Sequence, residues 1–178
     1  SVLNEIKRLA GVGGYDLVFD DIPLDDIKTF RELAQGNTVG VFQLHTYLGT
    51  DICKRMRVDC FEDIVAAVAL TRPGALDTGM NEEYVLRKHG KKWVKKNDIY
   101  EKITEDTFGT IIYQEQVMEM IYVLAGLDYS VADKIRKVIG KKRDKAEFEP
   151  YKIQFVDGCL KEKTFTKQEA LWQIKQSV

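Results

Sequence analysis

No apolar run in this chain is long enough to cross a bilayer, which takes about 20 residues, so no membrane span is expected. Asn4, Glu5, Lys7 and Arg8 interrupt the first ten residues, which therefore do not read as a secretory leader. Cysteine is scarce: Cys53, Cys60 and Cys159, with no C-x-x-C spacing. An odd number without a leader reads as free thiols in a reducing compartment, and the expectation is a cytoplasmic protein. Histidine is scarcer, with only His45 and His89, and neither stands at ligand spacing with a cysteine, which excludes the common zinc arrangements. There is no Walker loop, no H-E-x-x-H and no serine–histidine–aspartate set at recognisable spacing. A nucleotide hydrolase, metalloprotease or triad hydrolase acting alone is thereby disfavoured. No internal repeat or low-complexity segment is visible.

What is present is an ordinary globular composition, 44% apolar and 31% charged over 178 residues, sufficient for a core. The net charge of −1 conceals an asymmetry. Residues 1–35 carry seven carboxylates against four basic groups. Two later windows are cationic: Arg87, Lys88, Lys91, Lys92, Lys95 and Lys96, then Lys134, Arg136, Lys137, Lys141, Lys142, Arg143 and Lys145 against Asp144 alone. Thirteen of the 27 basic residues fall within these windows. Clustered cations concentrate potential where a polyanion could sit, although a solvated helix face gives the same pattern.

Apolar periodicity and stop signals predict a mainly α chain with a few short β-strands. Residues 2–10 form a helix ended by Gly11, and Asp25–Ala34 another, with Ile27, Phe30 and Leu33 inward. Val39–Leu44 reads as a strand. A helix opens at Asp59, boxed by Glu62, buries Phe61, Ile64, Val65 and Val68, and ends at Arg72-Pro73. Residues 80–89 are helical, 90–97 a basic loop, Gly109–Tyr113 a strand and Gln114–Ala125 a helix with Val117, Ile121 and Leu124 on one face. Ser130 with Asp133 caps a helix stopped by Gly140. A long helix from Ala146 to Leu160 turns Phe148, Tyr151, Phe155 and Cys159 inward, and Thr166 with Glu169 opens the last. Both ends fall within helical pattern, so a segment of a longer protein is expected.

Three segments carry chemistry. In S-V-A-D-K-I-R-K-V-I-G-K-K-R at 130–143, an apolar stripe (Val131, Ile135, Val138, Ile139) leaves Lys134, Lys137 and Lys141 on one edge and Arg136 on the other. Such a helix can dock and still present cations to phosphate oxygens, or be a solvated surface helix. In Thr71-Arg72-Pro73-Gly74 the arginine is held between stiff neighbours, suited to an anion or simply closing a helix. Tyr113-Gln114-Glu115-Gln116 runs from an extended segment into a helix, and its polar residues either line a cleft or cap the helix.

Taken in order, G-V-F-Q-L at 40–44, F-E-D-I at 61–64, R-P-G at 72–74, R-K-H-G at 87–90, Y-Q-E-Q-V-M at 113–118, L-A-G at 124–126 and A-D-x-x-R-K-x-x-G-K-K at 132–142 resemble the alpha subunit of bacterial DNA polymerase III, as does I-P-L-D-D at 22–26. The likeness covers nearly the whole chain. It implies a fingers-domain fragment, residues 1–178, of a C-family DNA polymerase in which the palm is absent. Its partners would be primer–template DNA, the incoming deoxynucleoside triphosphate and the remaining polymerase domains. The host would be a bacterium, or a virus or mobile element within one. By motif, Arg136, Lys137, Lys141, Lys142 and Arg72 match triphosphate-contacting positions. Lys134, Arg143, Arg87, Lys88, Lys91 and Lys92 are the candidate DNA-contacting cations. A non-enzymatic nucleic-acid-binding helical module is the alternative.

The sequence also departs from the family. His45-Thr46 replaces its E-S, Thr50 stands where methionine is common, Lys137 replaces the second arginine of its R-R and Ile139 a methionine, which points to a divergent member. Polymerase chemistry uses metal ions held by paired carboxylates. The resemblance puts those carboxylates, and the Mg2+ they hold, in the palm, so this fragment is expected to bind no metal or cofactor and to contain no catalytic residue. Asp25-Asp26 reads as a helix start rather than a metal pair.

Overall fold

The computed structural model describes residues 2–95, 97–140 and 145–176. Its elements are α1 (Val2–Val12), α2 (Ile27–Gln35), α3 (Tyr47–Met56), α4 (Phe61–Leu70), α5 (Pro73–Asp77), α6 (Met80–Lys88), α7 (Asp98–Ile103), α8 (Gln114–Ala125), α9 (Tyr129–Gly140), α10 (Lys145–Lys161) and α11 (Lys167–Gln176), with 3₁₀ turns at Phe19–Asp21 and Glu105–Thr107.

Local chemistry sets most boundaries. Asp26 starts α2 by accepting from the Lys28 N–H at 3.0 Å and the Thr29 hydroxyl at 2.7 Å, and these bonds hold its pKa below the usual carboxylate range. Gly36, at φ 88°, ends it. Thr46 caps α3 through the Gly49 N–H at 3.1 Å. Thr166 and Glu169 cap α11 reciprocally, as the sequence predicts.

Two hydrophobic cores result. In the first, α2, α3, α4 and α6 bury Phe30, Leu33, Ile52, Met56, Leu70 and Tyr84. In the second, α7 to α11 bury Tyr100, Ile121, Leu124, Ile135, Phe155 and Phe165. Segment 104–113 lies between them. Phe108 packs edge-on against Tyr84 in the first core, and the Gln116 carboxamide of α8 donates to the Thr107 hydroxyl at 2.8 Å and the Ile103 carbonyl at 3.2 Å. The Gly109 carbonyl accepts from Arg87 of α6 at 2.8 Å and from the Tyr100 hydroxyl of α7 at 3.2 Å. Gly109 sits at φ 71°, and a Cβ there would come within 2.5 Å of the Trp93 ring, so conformation and space both require glycine.

Several expectations are corrected. No strand occurs among the described residues. Val39–Leu44 is a chain of turns closed by Val41 N–H to Thr38 and Leu44 N–H to Val41, with Gly40 and Gln43 at positive φ. In 109–113 side chains take the groups a ladder would use: the Gln116 Oε1 accepts the Ile112 and Tyr113 N–H groups at 2.9 and 3.0 Å. Ile27 is exposed, leaving Phe30 and Leu33 as the buried face of α2. Helix α1 passes through Gly11 to Val12. Asp59 does not cap α4: its own N–H is accepted by Asp63 at 2.9 Å. The buried face of α4 is Asp63, Ala66, Ala67, Ala69 and Leu70, because small alanines let it lie close on α3, while Phe61 and Val65 are exposed. Asp128, not Ser130, opens α9, accepting the Ser130 N–H at 2.8 Å. Among its described side chains, Ala132 and Ile135 are fully buried.

Candidate functional site

Helix α4 forms one wall of a cleft of about 370 Å³. Ile64, Val65, Val68 and Ala69 line that wall, with Arg72 at its end. The opposite wall is the entry to α8: Ile112, Tyr113, Gln114 and Glu115. The Gln116 bonds to Ile112 and Tyr113 hold that entry extended, so the following Gln114 and Glu115 side chains come to the cleft. Tyr113 is half-buried, and burial raises its phenol pKa, keeping it neutral near pH 7.

Arg72 occupies the turn between α4 and α5. Pro73 keeps the preceding residue extended, at φ −76° and ψ 147°, so the helix cannot continue through it. The Arg72 N–H donates to the Ala69 carbonyl, and its own carbonyl accepts from Ala75 and Leu76, which fixes the backbone. The side chain is exposed, and no carboxylate among the described residues pairs with it.

Helix α9 places Arg136 beside the same cleft. Its Nη1 donates to the Gln114 Oε1 at 2.7 Å, while Nε and Nη2 donate to the Asp133 Oδ1 at 3.0 and 2.7 Å. Lys137 pairs with the other Asp133 oxygen at 2.5 Å. Lys137 and then Arg136 hold the Asp133 pKa below the usual range. Two adjacent cations thus share one carboxylate, with Lys137 mostly exposed. Lys134 is exposed on the same helix, whereas Lys141, Lys142 and Arg143 lie outside the described residues.

The first cationic window divides differently. Lys88 donates to both oxygens of the buried Asp63, at 2.8 and 2.7 Å, and to Asp59 at 3.1 Å. Burial lowers the Lys88 pKa, but the hydrogen bonds to Asp63 and Asp59 outweigh it and the pKa is raised overall. Arg87 bonds Glu83 at 3.1 Å, reaches the carbonyls of Phe108 and Gly109, and lies over the Trp93 ring. Arg87 and Lys88 are therefore committed within the fold. Lys91 pairs with Glu83 at 2.6 Å and remains half-exposed, and Lys92 is exposed.

Among the described residues, the one cluster with metal-ligand spacing is Asp59, Cys60 and Asp63, and the Lys88 ammonium already fills the position a cation would take. Asp26 is spent on capping α2, and Glu115 is the one carboxylate lining the cleft. Among the described residues, the cleft brings together no pair of carboxylates of the kind that two Mg2+ ions use. Sequence reasoning singled out Arg72, the 113–118 segment and Arg136 separately. It missed the cleft that joins them, whose signal was the run of apolar residues around α4, more than one buried face requires.

Residues 1–163 match the family of the bacterial DNA polymerase III alpha subunit finger domain. The chain is 35% identical over 173 residues to the DNA polymerase III subunit alpha of Campylobacter jejuni, covering 96% of this chain and 14% of that protein. It is 41% identical over 148 residues to that of Aquifex aeolicus, covering 83% of this chain and 13% of that protein. Against the Escherichia coli subunit it is 40% identical over 161 residues, 87% of this chain and 14% of that protein. The chain belongs to the DNA polymerase III alpha subunit finger-domain family.

Proposed function

We propose that this chain is the part of a bacterial-type replicative DNA polymerase that receives the incoming deoxynucleoside triphosphate and the adjoining primer–template. One observation carries the reading: Gln114 both lines the cleft that Arg72 closes and accepts a hydrogen bond from Arg136, so three segments far apart in sequence meet at one place. A triphosphate carries several negative charges, and preorganised cations around a partly apolar cleft suit it. Arg136 is the principal clamp, with Lys137 and Arg72 beside it and Lys141 and Lys142 following on the chain. Exposed Lys92 and Lys134 and half-exposed Lys91 are the cations available to the DNA backbone among the described residues, and Arg143 is assigned with them from the sequence alone. Mg2+ and the paired carboxylates that bind it would belong to other parts of the polymerase and activate the hydroxyl of the DNA primer, the whole acting in the cytoplasm of a bacterium or on behalf of a virus or mobile element there.

The test is single-nucleotide incorporation by the full polymerase carrying Arg136→Ala. Loss of a charge-assisted hydrogen bond is worth about 1.5–3 kcal/mol, which predicts roughly a ten- to hundredfold fall in kcat/KM for the nucleotide. Lys137→Arg retains activity. Unchanged incorporation by Arg136→Ala at normal stability makes α9 a solvated surface helix and leaves the non-enzymatic nucleic-acid-binding module.

A further inference from the structure

We infer that Gln114 is a positioning residue for Arg136, a role that rests on the triphosphate reading above. An arginine clamps phosphate well only if its planar fork is held in one orientation, because free rotation about its long stem forfeits the gain. Arg136 is held on two sides by different helices. Asp133, one turn earlier on α9, engages Nε and Nη2 at 3.0 and 2.7 Å. Gln114, the first residue of α8, engages Nη1 at 2.7 Å. These bonds occupy three of its N–H groups, and an arginine has five. One N–H on each of Nη1 and Nη2 is left over, and with the planar fork held by both partners these two donors keep a fixed direction.

Asp133 alone cannot do this. It lies on the same helix as Arg136 and also serves Lys137, so it sets the charge balance of the pair but not the orientation of the guanidinium relative to the opposite wall. Gln114 supplies that reference because it is itself a cleft residue. Being neutral, it accepts a hydrogen bond without neutralising the arginine, whereas a glutamate there would compete with phosphate for it. The Gln114 side chain is exposed and belongs to neither core, so it has no packing role to confuse with this one.

The experiment is a double-mutant cycle in the full polymerase, with KM and kcat for one incoming nucleotide and the melting temperature measured for wild type, Gln114→Ala, Arg136→Ala and the double variant. Gln114→Ala is expected to raise KM about three- to tenfold with the melting temperature unchanged, since the hydrogen bond is charge-assisted but partly solvated. In the Arg136→Ala background the same substitution is expected to change nothing, because there is no guanidinium left to orient. Gln114→Met, of similar length but without an acceptor, should behave as alanine does. Equal Gln114→Ala effects with and without Arg136, or no effect where Arg136→Ala is impaired, overturns the positioning role. A polymerase indifferent to Arg136→Ala overturns the triphosphate reading instead, and this inference with it.

Discussion

Replacing Lys88 with methionine tests whether a sequence-stated DNA cation is in fact a structural one. Its side chain is 12% exposed and that of Asp63 is 4% exposed. Lys88 satisfies both Asp63 oxygens, and the Asp59 N–H also donates to that carboxylate at 2.9 Å. Methionine keeps the stem but leaves a buried carboxylate without its cation. Breaking a buried pair from one side costs about 3–5 kcal/mol, a large share of the roughly 5–15 kcal/mol that keeps a domain folded. Removing both charges, as in Lys88→Met with Asp63→Leu, should cost far less, because the desolvation penalty of both ions disappears with their attraction. Urea unfolding of the chain, monitored by circular dichroism across the four members of the cycle, reads these differences as midpoint shifts at constant slope. A Lys88→Met cost below about 1 kcal/mol, typical of exposed pairs, or a double variant as unstable as the single ones, would refute the argument.

Further outcomes are expected. DNA binding should weaken steeply with salt, with a log–log slope near −0.7 per contacted phosphate on single strands. Lys92→Ala and Lys134→Ala should flatten that slope, and salt-insensitive binding would count against the cationic windows. Burial pushes the Cys53 and Cys159 thiols up to about 11 from 9.0. The unfolded chain therefore loses those protons first as pH rises past about 9, while the folded chain keeps them to about 11, so stability should fall across that window. Alkylation at pH 8 should spare both thiols until urea is added, and prompt labelling of the native chain would contradict their burial. Incubated alone with primed template, nucleotides and Mg2+, the chain should leave the primer unextended, since its cleft offers Glu115 and no carboxylate pair. Templated extension that survives repurification would overturn that.

Helices with strong local signals were legible from sequence. Gln114–Ala125 is recovered to the residue, and the Thr166–Glu169 box and the Gly36 stop act as expected. The failures have different causes, some local and some remote in sequence. Val39–Leu44 has β-branched and aromatic residues but no neighbouring strand, so its backbone closes into turns. Helix α3 was missed because its cap, Thr46, was read as a departure from the family rather than as a helix start. Thr50, another departure, places its hydroxyl 2.7 Å from that of buried Thr38. Lys88 looked like its neighbours in a basic window, and only the fold brings Asp63, on another helix, beneath it. The cleft itself was half legible: its charged and polar members stood out, but its apolar wall was assigned to the core.

The Gly109 carbonyl oxygen receives one donor from each half of the molecule, Arg87 from one side and Tyr100 from the other. It is a rivet made of main chain, and its behaviour in a mutational survey follows from that. No substitution can delete it. Changing residue 109 itself strains the backbone and collides with Trp93, and so reports on crowding rather than on the joint. The joint becomes visible only through its donors, and losing either one leaves the other in place. A survey that changes one residue at a time would therefore score the connection between the two cores as weak, and only simultaneous loss of Arg87 and the Tyr100 hydroxyl would reveal how firmly the cleft walls are held at their spacing.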